Sequence, residues 1–217
     1  MPWIAIALSI ACLLAGSVLV VAERRNLSAV RGFAKLAAST AFVLVALSLG
    51  AAASTYGQLV LLALVLSWIG DAFLLSERSA AFLSGLGAFL LAHVAYSVAF
   101  AIGDLSTSAF VVSLICAAAI GLITLRWLWR WLDPANKVAV AAYVGTIVAM
   151  CALAIAHSAA SRSWLAAIGA VAFAASDISV ARDRFVVSEF LNRAWGLPVY
   201  YSAQLLLAWS ITSGQVS

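Results

Sequence analysis

The sequence predicts an all-α integral membrane protein with eight transmembrane helices. Of its 217 residues, 66% are apolar and only 9% are charged, whereas a soluble domain is about 45–50% apolar and about 25% charged. A chain of this composition has too few polar side chains to cover a water-facing surface. Its apolar segments are close to the roughly 20 residues that a helix needs to cross a bilayer, a length that favours helices over a β-barrel.

Eight apolar segments follow one another with short connections between them. The first lacks the basic start and the cleavage site of a secretory signal, so we expect it to be retained as a helix. Together the segments predict a single membrane domain over residues 1–217. They cover residues 2–22, 30–50, 58–75, 80–102, 107–129, 137–157, 164–181 and 194–213.

The basic residues predict the orientation of the bundle. Eleven of the twelve Lys and Arg residues lie in or beside the odd-numbered connections, and only Arg162 lies in an even-numbered one. Positively charged loops stay in the cytosol, so both termini are expected on the non-cytosolic side. This topology accounts for the net charge of +4, and no nucleic-acid partner is expected. The alanine-rich chain with short loops is typical of a bacterial plasma membrane protein.

The two halves of the chain repeat one pattern. Asp71 and Asp177 lie 106 residues apart, and the first three spans of each half start at nearly the same offset. With four spans per half, both halves have the same orientation, which predicts parallel repeats over about 1–106 and 107–217. In each half, a segment with polar residues begins 22 or 23 residues after the aspartate. It holds His93 and Tyr96 in the first half and Tyr200, Tyr201 and Gln204 in the second.

Asp71 and Asp177 are the main candidates for functional residues. A charged side chain at the bilayer centre costs about 2.5–3.5 kcal/mol on insertion scales, and such residues are usually functional. Each aspartate is roughly 20 Å from the outer end of its span at 1.5 Å per residue. We therefore expect both carboxylates to face one cavity beneath the cytosolic headgroups. The alternative is structural, with each carboxylate bonded to Ser67, Ser176 or a backbone group.

The other polar residues within the spans each have two interpretations. Lys35 either extends to the membrane interface along its aliphatic stem, or neutralises a carboxylate or a lipid phosphate. His93 and Tyr96 share one helix face, where they either bond neighbouring helices or contact a substrate. Gln204 bonds either across helices or within the cavity.

Several chemistries lack their sequence patterns. The chain has no Gly-rich phosphate loop followed by Lys and no Gly-x-Ser-x-Gly motif, and its two histidines cannot form a three-His zinc site. A mixed Asp/His metal site has no ligand spacing to support it. Cys12, Cys116 and Cys151 show no CxxC spacing and are expected to be small buried thiols. We therefore expect no metal.

Short segments around these residues are arranged as in a known family. They are Ser67–Leu75, Phe89–Tyr96, Gly169–Phe173, Ser176–Asp177 and Tyr200–Gln204, with Lys35, Ala142–Val144 and Phe185 in addition. In order and spacing these segments resemble the YhhN family, the lysoplasmalogenases. One departure is Leu36, where the family usually has proline after the lysine.

The resemblance implies a multi-pass membrane hydrolase that cleaves the vinyl ether bond of a lysophospholipid substrate, a lysoplasmalogen, to a fatty aldehyde and a glycerophospho-alcohol. Such a reaction begins with protonation of a carbon atom and passes through an oxocarbenium ion. Two neighbouring aspartates can hold one proton between them, so one is the general acid and the other stabilises the cation and activates water, as in glycosidases. Asp71 is the preferred acid, and no cofactor is required.

In this hypothesis the remaining polar residues bind the substrate. His93, Tyr200, Tyr201 and Gln204 orient water or the glycerol hydroxyl, and Lys35 and loop arginines hold the phosphate. Tyr96, Ser67 and Ser176 are the further substrate-binding candidates.

Two other classes of function remain as alternatives. A small transporter or lipid-binding protein also has parallel repeats and intramembrane carboxylates, but transport sites usually lie at the midplane on broken helices. Here the aspartates are off-centre, and only Pro198 can interrupt a relevant helix. A purely structural membrane subunit would leave the paired aspartates without a role.

Overall fold

The computed structural model describes residues 2–76 and 78–215. Eight α-helices account for most of this part of the chain, and each corresponds to one predicted span with ends shifted by a few residues. A five-residue π-helix, Arg182–Val186, continues α7. The helices are α1 (Pro2–Arg24), α2 (Ser28–Ser48), α3 (Thr55–Phe73), α4 (Ser79–Ala101), α5 (Thr107–Leu128), α6 (Pro134–Ser161), α7 (Leu165–Ala181) and α8 (Phe190–Trp209).

Helix starts follow from short polar residues and proline. The Ser54 hydroxyl accepts the backbone N–H of Gly57 at 3.0 Å and so caps α3. Ser106 caps α5 in the same way, since a serine oxygen satisfies an N–H that has no partner within the helix. Helix α6 begins at Pro134, where the missing N–H costs nothing.

Seven of the described helices are long and apolar enough to cross a membrane. Helix α8 is the exception among the eight, because it carries several buried polar residues, including Asn192, Tyr200 and Gln204. The prediction of an all-helical membrane protein is therefore confirmed. The eighth span, the orientation and the parallel repeat stay predictions.

The outside of the bundle is apolar and its inside is lined by small residues. On α5, Leu122 and Ile123 are 67% and 69% exposed, as expected of side chains that face lipid. Alanines such as Ala38, Ala63 and Ala92 are fully buried, and small residues of this kind let membrane helices approach closely. Close packing brings the few polar side chains of the interior into contact.

Consecutive helices pack in pairs, and two further contacts join the halves of the chain. Helix α8 packs against α1, α2 and α3, and α4 packs against α6. The last helix is therefore next to the first three. This arrangement carries the polar residues of α8 to the carboxylate of α3, and those of α4 towards α6 and α7.

Candidate active site

Asp71 is buried near the end of α3 and is fully paired. Its side chain is 3% exposed, and the ammonium of Lys35 lies 3.4 Å from Oδ1. Ser39 and Tyr200 donate hydrogen bonds to Oδ2 at 2.6 and 2.8 Å. Lys35 therefore neutralises a carboxylate, that of Asp71, which is one of the interpretations that the sequence left open. Each oxygen of Asp71 has a partner, as a charge in an apolar interior requires.

Asp177 lies on α7 and is less completely paired. Tyr143 donates a hydrogen bond to Oδ1 at 3.2 Å. The Nε2 atom of His93 lies 3.1 Å from Oδ2, but the two atoms are not aligned as a hydrogen bond, and neither has another partner among the described residues. Asp177 thus keeps one oxygen that is close to an imidazole and otherwise unbonded.

Each carboxylate takes one of its partners from the other half of the chain. His93, on α4 of the first half, contacts Asp177 of the second. Tyr200, on α8 of the second half, bonds Asp71 of the first. The repeat in the sequence predicted a carboxylate and polar residues in each half. Because α4 packs on α6 and α8 packs on α2 and α3, a polar residue of each half lies beside the carboxylate of the other half.

Three of the predicted substrate-binding residues form an interhelical chain of hydrogen bonds. The Tyr96 hydroxyl donates to Oε1 of Gln204 at 2.8 Å, and Nε2 of Gln204 donates to the Ser67 hydroxyl at 3.3 Å. All three side chains are buried. They join α3, α4 and α8 and bond neither aspartate, so they match the structural interpretation.

Two further predicted residues bond backbone carbonyls. The Ser176 hydroxyl donates to the oxygen of Phe173 at 2.7 Å, and the Tyr201 hydroxyl donates to the oxygen of Lys35 at 3.4 Å. Ser67 and Ser176 were predicted as possible hydrogen-bond partners of the aspartates, and neither of them bonds an aspartate.

Aromatic rings lie between the two carboxylate clusters. The His93 ring stacks on Phe173 with centroids 4.4 Å apart, and Tyr200 lies 5.6 Å from the same ring. The Nδ1 atom of His93 is 2.6 Å from the carbonyl oxygen of Phe89, whose own ring is 5.9 Å from Tyr200. Each aspartate therefore has its own set of partners, linked through packed rings.

An apolar cavity of about 320 Å³ lies mainly between α5, α6 and α7. Asp177 and Tyr143 line it, and Asp71 does not. The expectation that both carboxylates face one cavity is therefore wrong. The reason is that Lys35, Ser39 and Tyr200 enclose Asp71 among α2, α3 and α8, whereas α7 forms a wall of the cavity.

The cavity is long and narrow. On α5 its lining runs from Ser113 to Leu128, fifteen residues at 1.5 Å each, or about 22 Å. Its volume is at the lower end of the roughly 300–1,000 Å³ that ligand pockets occupy. Apart from Asp177 and Tyr143 its polar groups are few, so its shape and chemistry suit a single hydrocarbon chain.

Sequence reasoning missed two residues as site residues, Ser39 and Tyr143. Ser39 follows Lys35 by one helical turn and so shares its face, a spacing that can be read from the sequence. Tyr143 stands out less, because it lies 34 residues before Asp177 and so outside the repeated pattern of an aspartate followed by polar residues.

Comparison with known proteins places these residues in a family. The profile of the YhhN family matches residues 30–211. The chain belongs to the YhhN family. All of the residues that contact Asp71 or Asp177 fall within the matched region. No solved structure matches the chain.

Several curated relatives are named lysoplasmalogenases. The chain is 32% identical to Lysoplasmalogenase TMEM86A of Bos taurus over 153 residues, which is 68% of this chain and 62% of the relative. It is 34% identical to the Homo sapiens protein of the same name, with the same coverage. It is 35% identical to the Lysoplasmalogenase of Mycobacterium bovis over 148 residues, 64% of this chain and 54% of that protein. These matches span little more than half the length of the relatives.

The pairing of Asp71 with Lys35 predicts the outcome of substitutions in this YhhN-family chain. Asp71→Asn keeps acceptors for Ser39 and Tyr200 but leaves the Lys35 ammonium buried without a counter-charge, which typically costs about 3–5 kcal/mol. Adding Lys35→Met removes that charge, so the double variant should regain most of the lost stability. Thermal unfolding of the purified proteins, followed by fluorescence-detected size exclusion, measures both. Equal melting temperatures for the single and double variants would contradict the ion pair.

Proposed function

We propose that the chain is a membrane hydrolase that cleaves the vinyl ether bond of lysoplasmalogens, releasing a fatty aldehyde and a glycerophospho-alcohol. The observation that supports this most is the carboxylate of Asp177 in the wall of a long apolar cavity. The relatives named lysoplasmalogenase support the substrate class. In this proposal the single hydrocarbon chain lies in the cavity, with its vinyl ether beside Asp177.

The pair of His93 and Asp177 supplies the proton for this reaction. A carbonyl oxygen only accepts hydrogen bonds, so Nδ1 of His93 carries the hydrogen that it donates to Phe89. Nε2 then presents a lone pair to Asp177 unless a second proton is present. Either a cationic His93 faces a carboxylate, or a neutral His93 faces a protonated carboxyl. In either arrangement the pair carries one proton, on Nε2 in the first and on the carboxyl in the second, and the two atoms are 3.1 Å apart.

Asp177 is then both the acid and the base. Its protonated carboxyl donates to the β-carbon of the vinyl ether, whose π electrons form the new C–H bond and leave an oxocarbenium ion. The carboxylate stabilises this cation and takes a proton from the water that adds to it, as carboxylates do for glycosidases. The hemiacetal then gives up its hydroxyl proton as the C=O bond forms and the C–O bond to the glycerol breaks, and the leaving glycerol oxygen takes up a proton, so aldehyde and alcohol form with no net change in protons.

Asp71 acts in this proposal as a positioning residue. It holds the hydroxyl of Tyr200, whose ring packs on Phe173, and Phe173 in turn stacks on His93. The chain of rings fixes the imidazole plane beside Asp177. This assignment reverses the sequence-based preference for Asp71 as the acid, because Asp177 lines the cavity and Asp71 does not.

For the membrane, we propose eight spans, with the odd-numbered loops facing the cytosol in a bacterial plasma membrane. The packing of α8 against four other helices supports its inclusion as a span. At the end of α5, Trp129 and Trp131 are 44% and 46% exposed beside Arg130, as expected of an aromatic belt at a basic interface. The site then opens near the cytosolic headgroups.

If Asp177 is the acid, Asp177→Asn should lower the rate of aldehyde release by about 10²–10⁴-fold, the usual contribution of a general acid. The amide keeps the size of the side chain and an acceptor for Tyr143, so the fold should persist. The measurement is free aldehyde formed from a lysoplasmenyl phospholipid by protein in liposomes.

The double variant Lys35→Met/Asp71→Asn is the matched control, because it removes the other buried carboxylate together with its counter-charge. The amide oxygen that replaces the carboxylate can still accept the Tyr200 hydroxyl, so the rings stay in position and we expect activity within a few-fold of the wild type. An active Asp177→Asn variant would refute the acid, and a well-folded but inactive double variant would assign catalysis to Asp71. Lipid movement across the bilayer without any aldehyde would favour the transport alternative.

The cavity predicts how chain length affects the reaction. Ala117 lines the cavity, and the next residue, Ala118, is exposed on the outside of α5. Ala117→Phe fills part of the cavity and should lower kcat/KM for a long alkenyl chain relative to a short one by about tenfold, a change of about 1.4 kcal/mol. Ala118→Phe adds the same bulk on the lipid side and should leave that ratio unchanged. An equal ratio in both variants would mean that the chain binds elsewhere.

A further inference from the structure

The π-helix that follows α7 is held in place by one carboxylate. Oδ1 of Asp183 accepts hydrogen bonds from the Ser188 hydroxyl, the backbone N–H of Glu189 and the amide of Asn192, at 3.1–3.3 Å. Oδ2 of Asp183 accepts from the guanidinium of Arg193 at 3.1 Å. The turn between α7 and α8 is therefore a bonded unit, and π-helical segments are frequent at functional sites.

Most basic side chains around this turn are already neutralised. Arg182 lies 3.2 Å from Glu189, and Arg193 pairs with both Asp183 and Glu23. Arg184 differs from them, because it has no carboxylate partner among residues 2–76 and 78–215 and is exposed.

Arg184 stacks on an aromatic ring instead. Its guanidinium carbon lies 4.3 Å from the centroid of the Phe82 ring. Stacking uses the face of the planar guanidinium and leaves its N–H groups, which lie in the plane, free to donate. The result is a fixed cation with unused donors, the arrangement that suits a bidentate contact to a phosphate.

This cation lies at one end of the apolar cavity. Phe82 and Phe185 both line the cavity, and their rings meet edge to face with centroids 6.1 Å apart. Arg184 is seven residues beyond Asp177, or about 10 Å along the helix at 1.5 Å per residue. The glycerol of a lysophospholipid covers part of this separation, and the long side chain of Arg184 covers the rest.

We propose that Arg184 binds the phosphate of a lysophospholipid whose hydrocarbon chain fills the cavity. The identity of the lipid as a reactant rests on the proposed function, whereas the binding site itself does not depend on hydrolysis. Arg184 selects single-chain lipids that carry a phosphate over those that end in a free glycerol.

The test is a binding competition that requires no reaction. The purified full chain in detergent is offered an equimolar mixture of a 1-hexadecyl lysophospholipid and 1-hexadecylglycerol, and bound lipids are counted by native mass spectrometry. Both ligands carry a saturated ether, which this acid chemistry does not cleave. We expect the wild type to prefer the phospholipid by about tenfold or more, because a hydrogen bond to a charged group contributes about that much.

Arg184→Gln should abolish this preference while hexadecylglycerol still binds. Arg130→Gln is the matched control: Arg130 also stacks on a ring, that of Trp131, with its guanidinium carbon 5.3 Å from the centroid, but neither residue lines the cavity. It removes the same charge and should leave the preference intact. If Arg184→Gln does not fold, Arg184→Lys, which keeps the charge but loses the planar fork, should give a weaker preference.

The competing outcomes separate the two proposals. A preference that survives Arg184→Gln, or that Arg130→Gln removes equally, would overturn the phosphate site. Displacement of the lipid by an equal concentration of a chain-free glycerophospho-alcohol would show a site for soluble phosphate esters, which also overturns it. Phospholipid preference that depends on Arg184, in a wild type that releases no aldehyde from lysoplasmalogens, would refute the hydrolase and support the site.

Discussion

A carboxylate inside an apolar helix bundle needs a counter-charge or hydrogen-bond donors beside it, and the arrangement of the interior follows from this constraint. Burying an unpaired charge costs far more than a single domain can lose. Asp71 meets the constraint with a lysine at one oxygen and two hydroxyl donors at the other. Asp177 meets it less completely, with a hydrogen bond from Tyr143 to Oδ1 and with Oδ2 lying 3.1 Å from His93. The first carboxylate therefore joins helices, whereas the second keeps one oxygen that accepts no hydrogen bond from the described residues.

Compensation also determines how the helices are arranged. The partner of Asp71 on α8 is 129 residues away, and His93 lies 84 residues before the carboxylate it contacts. These contacts require α8 to pack on α2 and α3, and α4 to pack towards α6. The two halves of the chain are therefore joined through their buried carboxylates, the groups with the highest cost of burial. Packed rings of Phe89, Phe173 and Tyr200 fill the space between the clusters and keep them apart.

Along the cavity, the chemistry changes in the same order as along a single-chain phospholipid. Apolar side chains of α5 and α6 form most of the wall, and the carboxylate of Asp177 lies part of the way along α7. At the end, the guanidinium of Arg184 lies over Phe82 and has no carboxylate partner among the residues that the structure describes. A lysolipid presents a hydrocarbon chain, then an ether-linked glycerol, then a phosphate. The transport alternative requires no such order, because a transported ion or solute needs neither the long apolar wall nor a cation at its end.

The sequence by itself determined the fold class, the helices and the costly charged groups of the interior. A charge in an apolar window is costly enough to be recognised from residue type alone, which is why Asp71, Asp177, Lys35 and His93 could be predicted as site residues. Serine and tyrosine cost little in a span, and Ser39 and Tyr143 lie outside the repeated pattern of an aspartate followed by polar residues, so they did not stand out. Only the tertiary structure decided which partner each carboxylate has and which of the two lines the cavity. Those contacts depend on how distant helices rotate and pack against one another, and a pattern along a single helix does not contain that information.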